Sequence, residues 1–193
     1  EVTPELHQWL SIYKGVSDDT SRRYSDIFNI SRPVANRSIA PTGTIGMVAG
    51  TTTGIEPVYA VAYKRRYLKG TKWHYQYAVD AAANDLIERL GVNPDNIESA
   101  IDLASDYERR IKFQADVQDY VDMAISSTIN LPPRDQQTIN ANEFAKTLAR
   151  YAPRLRGFTC YPDGSRGGQP LTSVPYHEAK EKLGEEFEEN SEW

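Results

Sequence analysis

Between Arg37 and Pro57 the chain reads RSIAPTGTIGMVAGTTTGIEP, and no other stretch constrains the molecule as much. Hydroxyls, glycines and prolines crowd between apolar flanks, and after Arg37 the only charge is the carboxylate of Glu56. A polar surface loop of this length ordinarily carries lysines or several acids, so solvation alone does not account for it. A tight bend that approaches an anion is one reading of it, and a Thr/Gly turn with no ligand is the commoner case. Glycine lets the backbone come close to a ligand and turn its N–H groups inward. If a helix begins near Thr44, the free N–H groups of its first turn and its dipole favour negative charge there. Thr42 and Thr44 add donors without adding charge. The stretch is not a P-loop, because G-x-x-x-x-G-K-[ST] is absent. From these residues alone, a Thr/Gly turn with no ligand stays open as the alternative. The second cluster, Thr51 to Glu56, reads as a turn with Gly54 at positive φ. Glu56 keeps three roles open: capping a helix, pairing with an arginine, or pointing into a site.

The rest of the chain narrows the classes of function. Its 193 residues suffice for one domain with a sizeable core or a large piece of a bigger one. No apolar run approaches the roughly 20 residues that span a bilayer, and the N-terminus lacks a signal-peptide pattern. A cytoplasmic chain without membrane partners is expected. It begins at Glu1 rather than Met, which reads as a trimmed product or a part of a longer chain. Net charge is −5, and residues 178–193, with seven Glu and two Lys, account for all of it. The acidic tail reads as a solvated helix fraying to disorder. The body before it is neutral overall, which argues against DNA or RNA as partners. One cysteine, Cys160, excludes an internal disulfide and any thiolate cluster, and His7, His74 and His177 stand far apart in sequence. No metal site is expected.

Apolar spacing predicts a helix over 4–14, with Pro4 in its first turn, followed by a polar connection. A short strand over 37–40 feeds the bend, and 57–68 reads as a buried strand or helix start. Three helices follow. One spans about 77–90 and ends at Gly91, and one starts at Asn93 with Pro94 in its first position. The third runs from Ser105, boxed by Glu108, along Phe113, Val117, Val121, Ala124, Ile125 and Thr128, a stripe read as core packing. A helix from Asn140 to about Tyr151 precedes a strand over 157–161 and a Pro-Asp-Gly turn. About three strands alternating with helices favour an α/β fold, too few for a closed barrel.

Three segments, IAPTGTIGMVAGTTTGIEPVYAVAYKRRYL, FQADVQDYVDMAISSTINLP and RGFTCYPDGSR, resemble, in this order, the C-terminal half of ribonucleotide reductase catalytic chains. They look most like the adenosylcobalamin-dependent class II family, and the resemblance runs from about Arg32 to Leu171. It implies an α/β fold that is the C-terminal portion of a ten-stranded α/β barrel, completed by another chain or segment. It divides the chain into an N-terminal helix and connection (1–31), a partial catalytic barrel (32–171) and an acidic tail (172–193). It also implies that Pro41, Thr42, Gly43, Thr44 and Ile45 take the phosphates of a nucleotide di- or triphosphate at a helix N-terminus. The reaction implied replaces the ribose 2′-hydroxyl with hydrogen, with adenosylcobalamin as the radical source.

The departures matter equally. The family's N-x-C-x-E finger loop supplies the radical-bearing cysteine and a carboxylate, and two further cysteines reduce the substrate. This chain has no such signature and one cysteine. The resemblance therefore implies no catalytic residue here and a need for a complementary N-terminal catalytic chain or segment bearing N-x-C-x-E. Cys160 falls where relatives carry an apolar strand residue and reads as a structural thiol. The family's C-terminal cysteine pair has no counterpart after Leu171. Tyr161 is followed by Pro162, which breaks the tyrosine pair of the class that imports its radical and favours cobalamin. A non-catalytic nucleotide-binding or regulatory module and a structural assembly subunit are the alternatives.

Overall fold

Thr3 accepts a hydrogen bond from the Leu6 amide and Pro4 occupies the first turn, so the first helix starts where its sequence signals place it. It ends only at Asn29, in the left-handed region at φ 50°. In the computed structural model, which describes residues 1–136, 139–165 and 170–188 without the side chains of Thr44 and Met47, the elements follow in this order. They are α1 (Pro4–Phe28), α2 (Gly43–Ala49), β1 (Ala62–Lys69), β2 (Lys72–Val79), α3 (Ala81–Leu90) and α4 (Tyr107–Gln118). Then come β3 (Thr128–Leu131), α5 (Ala141–Tyr151), β4 (Thr159–Pro162), β5 (Leu171–Ser173), α6 (Tyr176–Glu181) and β6 (Glu186–Glu188). Two units gather from interleaved segments: Glu1–Pro41, Ser105–Ile129 and Thr138–Cys160 form one, and Thr42–Ala104, Asn130–Gln137 and Tyr161–Trp193 the other.

In the first unit, Ile111, Ala115 and Val117 of α4 are nearly inaccessible, as are Val121, Ile125 and Ile129. The helix expected from Ser105 to about Thr128 is shorter at both ends. Asp106, not Ser105, is its N-cap, and Gln118 ends it. The Gln118 side-chain amide donates to the carbonyls of Val121 (2.7 Å) and Met123 (2.8 Å) and folds the chain back on the helix. Ile125, Ser127 and Ile129 are then buried at every second position, an extended pattern that continues the helical stripe by coincidence. α5 starts at its expected cap, Asn140, which accepts from the amides of Asn142 and Glu143. The strand expected over 37–40 is a single parallel bridge, Ile39 to Ile125. α1 continues through the region read as a polar connection.

In the second unit, β1 and β2 form a hairpin with Lys69 opposite Lys72 across a two-residue turn led by Gly70 at φ 65°. The antiparallel sheet has the order β5-β1-β2-β6. Residues 72–79 were expected partly in a helix; they are a strand because Trp73, Tyr75, Tyr77 and Val79 alternate with more polar neighbours. The helix α3 begins after Asp80, whose carboxylate accepts from the Ala82 and Ala83 amides, and ends at Gly91 as its sequence predicts. Asn93 caps a single 3₁₀ turn, Pro94–Asn96, not a full helix. Ala179 of α6 is fully buried against Ala62 and Tyr77.

The acidic segment departs from expectation. Instead of a fraying helix, α6 is followed by β6, whose Glu186 and Glu188 meet Lys69 (3.1 Å) and Lys72 (2.7 Å). Between them Phe187 stacks on Tyr75 at 5.5 Å. Lysines at the hairpin tip offset the like-charge repulsion that favoured disorder; residues 189–193 lie outside the described region. Six strands appear among the described residues, twice the number expected, and they form no closed barrel.

Candidate functional site

The hydroxyl-rich stretch is built around Thr42. A β-branched residue at φ 46° is a backbone outlier. Two contacts hold it there: its carbonyl accepts from the Gly46 amide at 2.7 Å, and its Oγ1 accepts from the Gly54 amide at 2.9 Å. The second bond joins the two Thr/Gly clusters. Thr42 thus stands at the N-cap of α2 while its hydroxyl is turned away from that helix's first amides, where a capping side chain would normally be spent. The amides of Gly43, Thr44 and Ile45 have no acceptor within the helix by its geometry alone.

Gly46 explains a second constraint. It is buried, and a Cβ there would sit 3.2 Å from the Thr52 carbonyl oxygen and from Cγ2 of Thr53. A side chain there would press on the 51–53 backbone and force it back by a few tenths of an ångström, which glycine avoids. The expected turn follows: the Glu56 amide donates to the Thr53 carbonyl at 3.0 Å, and Gly54 sits at φ 51°. Glu56 itself is half-buried. Of the five predicted site residues, Thr42 is half-buried, while Pro41, Gly43 and Ile45 face solvent, Ile45 at 72% exposure. The Thr44 side chain lies outside the described residues. What the bend offers chemically is a run of backbone donors and the proton of the Thr42 hydroxyl, with no lysine or arginine in the run.

Cys160 is half-buried in β4, and burial pushes its thiol above the ordinary range. That disfavours the thiolate, the reactive form. Among the described residues no three His, Cys, Asp or Glu side chains gather to hold a metal ion. His7 packs edge-on against Tyr120 at 5.6 Å and His74 stacks on Tyr67 at 5.9 Å, both packing roles.

Sequence reasoning passed over Arg37. Only 2% exposed, it donates from Nε to the Tyr120 carbonyl (2.9 Å) and from Nη1 to Asp18 Oδ1 (2.6 Å), Ser17 Oγ (2.6 Å) and the Lys14 carbonyl (3.1 Å). Its Nη2 donates to Asp122 Oδ1 at 2.9 Å. The hydrogen bond from Arg37 holds the Asp18 carboxyl below the usual carboxylate range, and the Asn36 amide, then Arg37, does the same for Asp122. No spacing rule marks a lone arginine as a hub. The only signal was its place at the head of the uncharged run, four residues before the bend.

The described residues thus form a mixed α/β chain with a glycine-packed, threonine-held bend and a half-buried cysteine. The family model described as ribonucleotide reductase, barrel domain, matches residues 34–155, and the chain belongs to that family. It is 33% identical over 156 residues to a vitamin B12-dependent ribonucleoside-diphosphate reductase of Mycobacterium tuberculosis (strain CDC 1551 / Oshkosh), covering 71% of this chain and 22% of that protein. A putative adenosylcobalamin-dependent ribonucleoside-triphosphate reductase of Mycobacterium phage D29 is 26% identical over 81% of this chain and 27% of its own length. A B12-dependent (class II) ribonucleotide reductase crystal structure shares the fold, with a TM-score of 0.68 at 14% identity, over 91% of this chain and 26% of the other. The chain spans roughly a quarter of the length of these relatives.

Proposed function

We propose that this chain is the C-terminal component of a class II ribonucleotide reductase, with residues 32–171 forming part of the catalytic barrel. In this reading Pro41, Thr42, Gly43, Thr44 and Ile45 hold the phosphates of a ribonucleotide while its 2′-hydroxyl is replaced by hydrogen. The observation that carries it is the conformation of Thr42. A β-branched residue held at φ 46° and tied to Gly54 represents stored strain. Such strain concentrates at ligand sites because the surrounding structure must maintain it. Helix geometry leaves the first α2 amides without an intrahelical acceptor, and a phosphate there would add charge-assisted hydrogen bonds of the strong kind. Its contribution to the reaction is orientation: a nucleotide gripped by its anionic end presents its ribose at a fixed distance.

The cofactor named for the relatives, adenosylcobalamin, supplies radical chemistry when bound, and we assign it to the assembled enzyme. None of its contacts is assigned to this chain, whose single thiol is pushed above its ordinary range by burial. The chain is inactive alone and works with a complementary polypeptide bearing the N-x-C-x-E segment, in a cytoplasmic pathway supplying deoxyribonucleotides. The test is reconstitution. This chain, the complementary polypeptide, adenosylcobalamin, a dithiol and a ribonucleotide should yield deoxyribonucleotide, and neither polypeptide alone should. Thr42→Ala and Thr44→Ala should each lower kcat/KM by about 10- to 100-fold, the loss of one hydrogen bond to a charged group. Unchanged kcat/KM in both variants refutes the phosphate role.

A further inference from the structure

The first helix is attached to its unit by the wrong face for a helix that completes a core. Lys14, Asp18 and Ser25 carry the attachment. Lys14 donates to the Asp119 carbonyl (2.9 Å), Asp18 receives Arg37, and Ser25 is buried. Trp9, Val16, Thr20 and Ile27 form a line on the helix roughly 140° to 180° away from that polar seam, at 3.6 residues per turn. Trp9 is 62% exposed, Val16 60% and Ile27 59%, and Ile12, Tyr13, Tyr24 and Phe28 flank them, also exposed. Beside this line, Trp9, Ile12, Tyr13, Val16, Thr20 and Asn36 line a groove of about 570 Å³.

A polar seam inside and an apolar stripe outside reverse the usual amphipathic arrangement. The exposed side chains amount to an apolar face on the order of 600–800 Å², more than a monomer's surface ordinarily leaves open and close to one side of a standard interface. The occupant follows from the size of the relatives: this chain matches only 26% of the class II reductase chain whose fold it shares, and 22% of a B12-dependent relative. Some three quarters of such a polypeptide is left to cover it.

We infer that the Trp9–Val16–Ile27 face of α1 is the docking surface for the complementary reductase polypeptide, the one carrying the N-x-C-x-E segment. The inference rests on the proposed function and adds to it the place of contact. Docking replaces water over the stripe with apolar side chains while the Arg37 seam keeps α1 fixed to its own unit, so the helix acts as a preformed ridge.

The probe is the purified complementary polypeptide, titrated into the chain with Trp73 and Trp193 replaced by Phe, so that Trp9 alone reports. Its emission should shift to the blue on binding. Val16→Asp and Ile27→Asp should each weaken binding at least 100-fold. Ser11→Asp, an exposed control off the stripe, should bind as the parent does. All three should keep the parent's far-ultraviolet circular dichroism, since no described hydrogen bond uses these side chains. Equal binding by the Asp variants, with nucleotide reduction intact, overturns the docking face and leaves the proposed function standing. No binding and no reduction by the parent mixture overturns both. A parent that sediments alone as a dimer, made monomeric by Val16→Asp, overturns the assignment in favour of a second copy.

Discussion

Replacing Arg37 with Met removes the guanidinium but keeps a stem of similar length, and separates two explanations of why α1 stays docked. If the helix is held by the seam, five hydrogen bonds go at once, two of them to carboxylates. Breaking a fully buried ion pair by removing one partner costs about 3–5 kcal/mol. Here the cation is buried, but the Asp18 and Asp122 side chains are 38% and 30% exposed, so water takes over part of their solvation. The expected loss is therefore smaller, about 2–4 kcal/mol. The assay is native-state hydrogen exchange of the α1 amides, which isolates this element from the second unit. The pH dependence gives an independent check. Both carboxyls titrate below their ordinary range when folded. Their contribution is thus complete above the unfolded value, near pH 4, and is lost as pH falls through the lowered folded values. In Arg37→Met this acid dependence should flatten, though not vanish, because the Asn36 amide still donates to Asp122 at 2.9 Å. A change of less than about 0.5 kcal/mol in α1 protection, the level of a surface pair, would refute the seam.

Thr42→Val removes the acceptor for the Gly54 amide while keeping the shape, so exchange at that amide should quicken by about tenfold, one ordinary hydrogen bond; an unchanged rate would detach the two threonine clusters from each other. Ala179→Leu forces three further carbons into a fully buried position between α6 and the hairpin, and urea denaturation followed at Trp73 should show a loss of about 1–3 kcal/mol. Cys160 should react with a disulfide reagent more slowly than free cysteine at pH 7 and gain rate only at clearly alkaline pH, because burial raises its thiol. Rapid modification at neutral pH would reopen a chemical role for it.

Local signals read from the sequence were reliable where one residue determines one backbone feature. Asn140 caps α5, Gly91 ends α3, Gly54 and Gly164 turn at positive φ, and Pro4 opens α1. They failed where two periodicities overlap or where partners lie far along the chain. The stripe from Val117 to Ile125 reads as one helix because helical spacing hands over to extended spacing without a break, and only the Gln118 contacts mark the reversal. The run of glutamates reads as disorder because Lys69 and Lys72 lie more than a hundred residues earlier. The candidate bend was legible as composition, yet its organising residue was not. Thr42 at positive φ breaks a local rule that any sequence reading applies to β-branched residues, and the bonds that hold it come from Gly46 and Gly54.

Periodicity also establishes that a helix has two faces without saying which one is inside. In α1 the spacing of Leu6, Trp9, Leu10 and Tyr13 predicts the helix, and ordinary amphipathic logic would turn Trp9 and Tyr13 toward the core. The opposite face wins because a buried guanidinium must be satisfied, and Ser17, Asp18 and the Lys14 carbonyl are the α1 groups that satisfy it. Electrostatic satisfaction thus orients the helix within its own unit, and the apolar stripe it turns outward is left for association. In the assembly proposed above, the arginine that fixes the helix therefore also decides which surface is turned outward to meet the partner.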